Sequence, residues 1–126
     1  MVQKEAGQQL GENLFGNECR FCHAELTHIP QLVVASGGRN YLVVFMLFGA
    51  RGEAVIGGIA KRLSHPSFDG LSDEQLAGVL NHLLVSWGNR SRLPQKFELY
   101  RAQEIQKARQ PPRSPQDVLK LRPPTQ

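Results

Sequence analysis

The sequence predicts an all-α fold, and three features point to it. Apolar residues recur at three- and four-residue spacing in several separate stretches. One stretch opens on a capping box, in which a serine and the residue three on close a helix N-terminus reciprocally. Most of the glycine and proline falls between these stretches rather than inside them.

In chain order, Leu10, Leu14 and Phe15 set a first helix from about Ala6 to Cys22. Residues 24–40 read as a loop punctuated by Pro30 and the pair Gly37-Gly38. "RNYLVVFMLFGARG" reads as a buried helix from Arg39 to Phe48, ended by Gly49. A strand competes for the same stretch, because Val43, Val44 and Phe45 favour one. Residues 51–70 carry Gly52, Gly57, Gly58, Pro66 and Gly70 and read as an irregular loop. A loop of that length is uncommon in a compact domain unless it wraps something. "LSDEQLAGVLNHLLVSWGN" then gives the clearest helix, with Ser72 as N-cap and Gln75 three residues on. Leu76, Val79, Leu80, Leu83 and Leu84 line one of its faces, and Gly88 stops it. A last helix is predicted from Pro94 to Arg109, bearing Phe97, Leu99, Tyr100 and Ile105. Residues 109–126 are proline-rich and read as extended or disordered.

At 126 residues the chain has the material for one domain. Its hydrophobic share is 40% and its aromatic share 7%, so a cofactor bringing its own apolar mass would help the core close. The richest apolar run, "YLVVFMLFGA", is too short to span a membrane. The first residues, "MVQKEAGQQLGEN", lack the apolar stretch of a secretory leader. Net charge is +4, of which Arg109, Arg113, Lys120 and Arg122 against Asp117 place +3 in the tail. The rest is nearly neutral, and a nucleic-acid interface wants a basic face on the folded domain.

The chemistry is concentrated in "ECRFCHAE", where Cys19, Cys22 and His23 form C-x-x-C-H. This is the attachment signature of c-type haem. One helical turn presents both thiols to the two porphyrin vinyl groups, and the adjacent imidazole is aimed at the iron as proximal ligand. A zinc site needs four ligands, and no second C-x-x-C or paired histidine completes one; His28 with His23 would be crowded. A redox dithiol wants a preceding strand, and the residues before Cys19 read as helix. With two cysteines in the chain, a C-x-x-C bridge closes too short a loop to stabilise much.

"GENLFGNECRFCHAE", "VFMLFGARGE" and "HPSFDGLSDEQLAGVLNHLLVSWGN" together resemble the signature blocks of class I c-type cytochromes, most closely the small bacterial monohaem type. The resemblance covers residues 7–108. It implies a cytochrome c-like fold of helices around one covalently attached haem c, with Gly11 and Phe15 packed near Leu80, His82 and Leu83. The loop from 51 to 70 would wrap the open face of the haem. In the family the block before the last core helix reads Met-Pro-x-Phe, the methionine being the distal iron ligand. Here it reads "HPSF", so the resemblance places His65 at the second iron position and implies a bis-histidine centre, His23 with His65. A second imidazole does not raise the reduction potential as a thioether does, so a low potential is expected.

Rival and supporting residues follow from the same register. Met46 competes for the distal position, although a methionine inside an apolar helical run is ordinarily core. His28 is too near His23 to reach the opposite haem face, and His82, mid-helix, reads as a packing residue. The family places a proline near Pro30 whose carbonyl orients the proximal imidazole. Phe68, Leu32 and Trp87 read as haem-pocket or core residues. The family's aromatic and glycine before the ligand are replaced by Lys61, Arg62 and Leu63, and Lys61 or Arg62 is a candidate to pair with haem propionates.

The expected domain is 1–108, with 109–126 a Pro-rich basic tail. The tail has two readings, a solvated end or a segment whose "DVLKL" docks on a partner while its charges steer association. The expected activity is single-electron transfer between protein partners, an oxidoreductase donor and a cytochrome or oxidase acceptor, with no nucleic acid and no membrane span. The family works outside the cytoplasm, so a periplasmic location and a removed leader are expected. Two alternatives belong to other classes: a haem subunit bound to an oxidoreductase, such as one oxidising sulfur compounds, and a haem sensor or peroxidase whose His65 leaves the iron.

Overall fold

The computed structural model describes residues 29–56 and 58–123. In order these form α1 (Ile29–Val34), α2 (Gly38–Phe48), β1 (Ala50–Ile56), β2 (Ile59–His65), α3 (Asp73–Val85), a 3-10 turn (Asn89–Arg92), α4 (Ala102–Ala108) and α5 (Pro115–Lys120). The expected first helix, Ala6–Cys22, lies outside the described residues. The fold is helix-rich, as expected, with one small two-stranded sheet. Two compact units interleave along the sequence, Met1–Pro30 with Leu71–Ile105 and Gln31–Gly70 with Gln106–Gln126.

In the first unit α3 forms where the sequence places it. Ser72 Oγ accepts from the Gln75 N–H at 3.1 Å, and Gln75 Oε1 accepts from the Ser72 N–H at 2.8 Å. Asp73 and Glu74 sit in the first turn, where the helix dipole favours negative charge. Leu76, Val79, Leu80, Leu83 and Leu84 are buried. The helix stops at Ser86, and Trp87 follows at φ 54, a backbone region that bulky residues seldom adopt. The Asn89 amide of the 3-10 turn, fully buried, donates to the Leu83 carbonyl at 2.8 Å.

The helix expected over 94–109 is shorter than its spacing suggests, beginning at Ala102. The reason is Asn81. Its Nδ2 donates to the Tyr100 carbonyl at 3.0 Å, and its Oδ1 accepts from the Tyr100 N–H at 2.7 Å. Tyr100 therefore gives its main-chain groups to a side chain rather than to a helical ladder, and its ring is buried. Asn81→Ala removes both bonds, and it is expected to cost about 2 kcal/mol, read as a lower urea midpoint with unchanged slope.

In the second unit α2 is the centre. Tyr41, Leu42, Val43, Val44, Met46 and Leu47 are all buried, so the helix is apolar around most of its circumference. The segment expected as a loop over 24–40 instead contains α1 and the start of α2. Gly38 permits this, because a side chain there would run into the Leu32 carbonyl.

Residues 51–70 also depart from the irregular loop expected of them. β1 and β2 pair antiparallel from Ala50↔His65 to Ile56↔Ile59. "IGGI" carries the signal, two glycines between apolar residues, a two-residue hairpin connection. One face, with Arg51, Glu53, Val55, Ala60, Arg62 and Ser64, is exposed; on the other, Ala50 is buried and Leu63 and His65 are half-buried. That inner face is covered by α5. Leu119 Cδ1 lies 3.2 Å from where a side chain on Gly52 would begin.

α5 stands where the tail is expected to be extended or disordered. Ser114 caps it by accepting from the Asp117 N–H at 3.1 Å, and Pro115 occupies the first turn, where its missing N–H costs nothing. Val118 is wholly buried and Pro123 is buried. Val118 and Leu119 of "DVLKL" thus find their cover on this chain's own β1 and α2, while Leu121 stays exposed.

Candidate functional site

The described part of the expected site is the turn that leaves β2. His65 ends the strand opposite Ala50, the first residue of β1, so the hairpin returns it to the C-terminus of α2. Three features join turn and helix. A helix leaves its last carbonyls without intrahelical partners, and here two are taken by the turn: Ser67 Oγ donates to the Leu47 carbonyl at 2.6 Å, and the Phe68 N–H donates to the Met46 carbonyl at 2.9 Å. Gly49, the C-cap, has φ 73 and ψ −175, a region open essentially to glycine alone. A Cβ there would lie 2.5 Å from the His65 carbonyl oxygen and 3.1 Å from Pro66 C and Ser67 N. Further along, Arg109 Nη1 donates to the Asp69 carbonyl at 3.0 Å.

The His65 ring is held within this frame. Its centroid is 4.5 Å from that of Phe45 on α2 and 5.8 Å from that of Phe68. Nδ1 lies 2.9 Å from the Pro66 carbonyl oxygen. A carbonyl only accepts, so this contact puts the proton on Nδ1 and, in the neutral ring, the lone pair on Nε2. Nε2 is then the atom with which His65 can bind a metal, and a second hydrogen bond from the other nitrogen is the usual way a histidine ligand is oriented.

The remaining sequence candidates fall as follows. Cys19, Cys22, His23 and His28 lie outside the described residues. Pro30 is buried in the first turn of α1, where proline is tolerated. Met46 is buried within α2, 6% exposed, and its carbonyl accepts from the turn. His82 sits in the last turn of α3, its Nδ1 3.2 Å from Ser86 Oγ and its ring edge-on to Trp87 at 5.6 Å. Lys61 and Arg62 are exposed on β2. Among the described residues, no three His, Cys, Asp or Glu side chains converge as a metal site. No helix among them is long and apolar enough to cross a membrane.

Sequence reasoning does not single out Gly49, Ser67 or Phe45 as parts of the site. Gly49 is legible only as a helix stop. That its missing side chain also makes room for the main chain at His65 depends on the hairpin, which pairs residues fifteen apart.

No family profile matches the chain. Two curated proteins are similar to it. A cytochrome c-552 from Thermus thermophilus is 34% identical over 92 residues, which cover 73% of this chain and 70% of that protein. A second cytochrome c-552, from another Thermus thermophilus source, is also 34% identical over 92 residues, covering 73% of this chain and 62% of its own length.

Proposed function

The chain belongs to the c-type cytochromes of the cytochrome c-552 kind, and from that premise we propose that it is a monohaem electron carrier with histidine on both sides of the iron. Cys19 and Cys22 would hold the haem by thioether bonds, His23 would be the proximal ligand and His65 the distal one. Pro30 would offer its carbonyl to the proximal imidazole, and Phe68 would line the haem pocket. When bound, the haem supplies the one-electron couple.

What supports the fit is the chemistry of the His65 turn. The Nδ1 contact to Pro66 leaves the Nε2 lone pair as the ligating position, and Phe45 and Phe68 give the ring apolar neighbours. An imidazole so fixed is a prepared donor, and strongly field-splitting ligation on both faces suits an iron that changes charge without changing partners. The Ser67 and Phe68 hydrogen bonds to α2 hold that donor in place. The proposal excludes a substrate site on the iron. Electrons would pass between protein partners, an oxidoreductase on one side and a cytochrome or oxidase on the other, at small transient contacts outside the cytoplasm.

The observation that carries this reading is a histidine fixed where the family's block carries methionine. Optical spectra of protein from cells able to mature c-type haem test it. A sharp reduced α-band with a haemochrome typical of two thioethers is expected, and the oxidised form should lack the far-red sulfur-to-iron band. Colourless protein would refute haem attachment; the far-red band would refute His65 and leave the carrier. Carbon monoxide binding to the reduced protein without perturbant would favour the sensor or peroxidase reading instead.

A further inference from the structure

The His65 imidazole has three neighbours in the turn and on α2, and they are not equivalent. Its Nδ1 meets the Pro66 carbonyl oxygen at 2.9 Å, and the Phe68 ring stands edge-on at 5.8 Å. Both belong to the turn that carries His65, so they travel with it. Phe45 is different. It belongs to α2, and its ring centroid lies 4.5 Å from that of His65, with the planes 48° apart. The final torsion of a histidine is broad and roughly two-fold. The Pro66 contact chooses between the two edges of the ring and so leaves Nε2 as the donor atom. It does not set the ring plane against the rest of the fold; a contact from another element does.

Phe45 is itself held. Tyr41 lies one helical turn earlier on the same face of α2, the two rings 5.7 Å apart and inclined at 59°. Tyr41 is buried. At the other end, the Phe45 carbonyl accepts from the Gly49 N–H at 3.0 Å, which keeps its main chain in the last turn of α2. Core filling alone does not account for the placement. Tyr41, Leu42, Val43, Val44, Met46 and Leu47 are all buried, whereas Phe45 is half-buried, as is His65. An aromatic ring left half-covered on an otherwise buried helix serves the ring contact it makes.

We propose that Phe45 is a positioning residue whose ring, braced by Tyr41, fixes the plane of the His65 imidazole about the axis through Nε2. The inference rests on the reading of His65 as distal ligand and deepens it. Phe45 does not touch the iron. It acts through His65, as groups around a ligand tune a metal by orienting that ligand. Orientation matters for an imidazole because it is planar: its π electrons meet the metal in one direction only, so turning the ring changes the electronic anisotropy of a ferric centre.

The test uses the full-length ferric holoprotein and the variants Phe45→Leu, Phe45→Tyr and Phe48→Leu. Phe48 is half-buried on the same helix and makes no ring contact with His65 among the described residues. Two readouts are taken, the low-spin electron paramagnetic resonance spectrum and the equilibrium affinity for cyanide, which must displace His65. Phe45→Leu is expected to shift and broaden the largest g value and to raise cyanide affinity between about twofold and tenfold, the loss of one aromatic pair. Phe45→Tyr keeps the ring and should keep the wild-type spectrum, and Phe48→Leu should leave the g value in place. Should Phe45→Leu yield no folded holoprotein, Phe45→Met makes the same comparison, since it also replaces the ring by a flexible apolar chain. An unmoved g value with unchanged cyanide affinity on loss of the Phe45 ring overturns the proposal. So does an equal shift in Phe48→Leu, or a failure of Phe45→Tyr to restore the spectrum. Those results leave His65 ligation intact, which the wild-type spectrum records by itself. A far-red sulfur-to-iron band in the wild type, or colourless protein, would overturn both readings together.

Discussion

Replacing His65 with methionine is expected to raise the reduction potential by a few tenths of a volt, within the roughly 0.8 V that axial ligation of haem spans. A neutral imidazole donates strongly and favours the ferric state, whereas a thioether is a poorer donor to ferric iron and favours the ferrous one. The scaffold suits the exchange. The turn is anchored through Ser67 and Phe68 rather than through the residue 65 side chain. Position 65 also lies in the block where the family carries methionine, so His65→Met brings in the residue type that this architecture ordinarily holds. Two measurements check it: potentiometric titration, and the far-red sulfur-to-iron band of the oxidised variant. An unchanged potential with no new band would mean that the wild-type iron is not bound by His65. Loss of the contact between Nδ1 and Pro66 is a small term beside the change of ligand.

Gly49→Val is expected to be the most damaging substitution in the second unit, with a loss of about 3 kcal/mol or more. Two costs act together. The backbone at φ 73 and ψ −175 is closed to a β-branched residue, and the new Cβ would start 2.5 Å from the His65 carbonyl oxygen. The atoms in the way are main chain, so no rotamer change relieves the contact. The turn must move away from α2, and the Ser67 and Phe68 hydrogen bonds go with it. Thermal unfolding reads the first consequence. The second is ligand exchange: His65 should become displaceable, so that reduced Gly49→Val binds carbon monoxide where the parent does not. Ser67→Ala removes one of the two bonds without the clash, so its loss should be about 1 kcal/mol with ligation retained. If both variants behave like the parent, the turn is not held by the C-terminus of α2.

The parts of this architecture that sequence pattern discloses are those decided within a few residues. The Ser72 cap, the leucine face of α3 and the stop at Gly49 are local, and each is written in three- and four-residue spacing or in a single glycine. The parts that escape it depend on residues far apart in the chain. Asn81 ends the helical pattern before Ala102 by engaging Tyr100, nineteen positions away, and no window of a dozen residues contains both. The hairpin escapes because its glycines count as loop residues until they are seen as the two-residue connection between Ile56 and Ile59. α5 escapes because its proline content outweighs Val118 and Leu119, whose burial depends on β1 and α2. The site divides along the same line. His65 is legible through the resemblance of "HPSF" to the family's ligand block, while the tautomer set by Pro66 and the room made by Gly49 are consequences of pairing.

The seating of α5 on β1 also bears on how the chain is made. Residues 31–70 find their complement in residues 106–126, and the stretch between belongs to a different compact unit. During synthesis the hairpin emerges long before the helix that covers its inner face, so Leu63 and Gly52 meet solvent until Val118 and Leu119 have been made. A ribosome stalled between those two points would present an uncovered strand pair to every neighbouring chain, and quality-control factors would encounter that intermediate rather than a finished half.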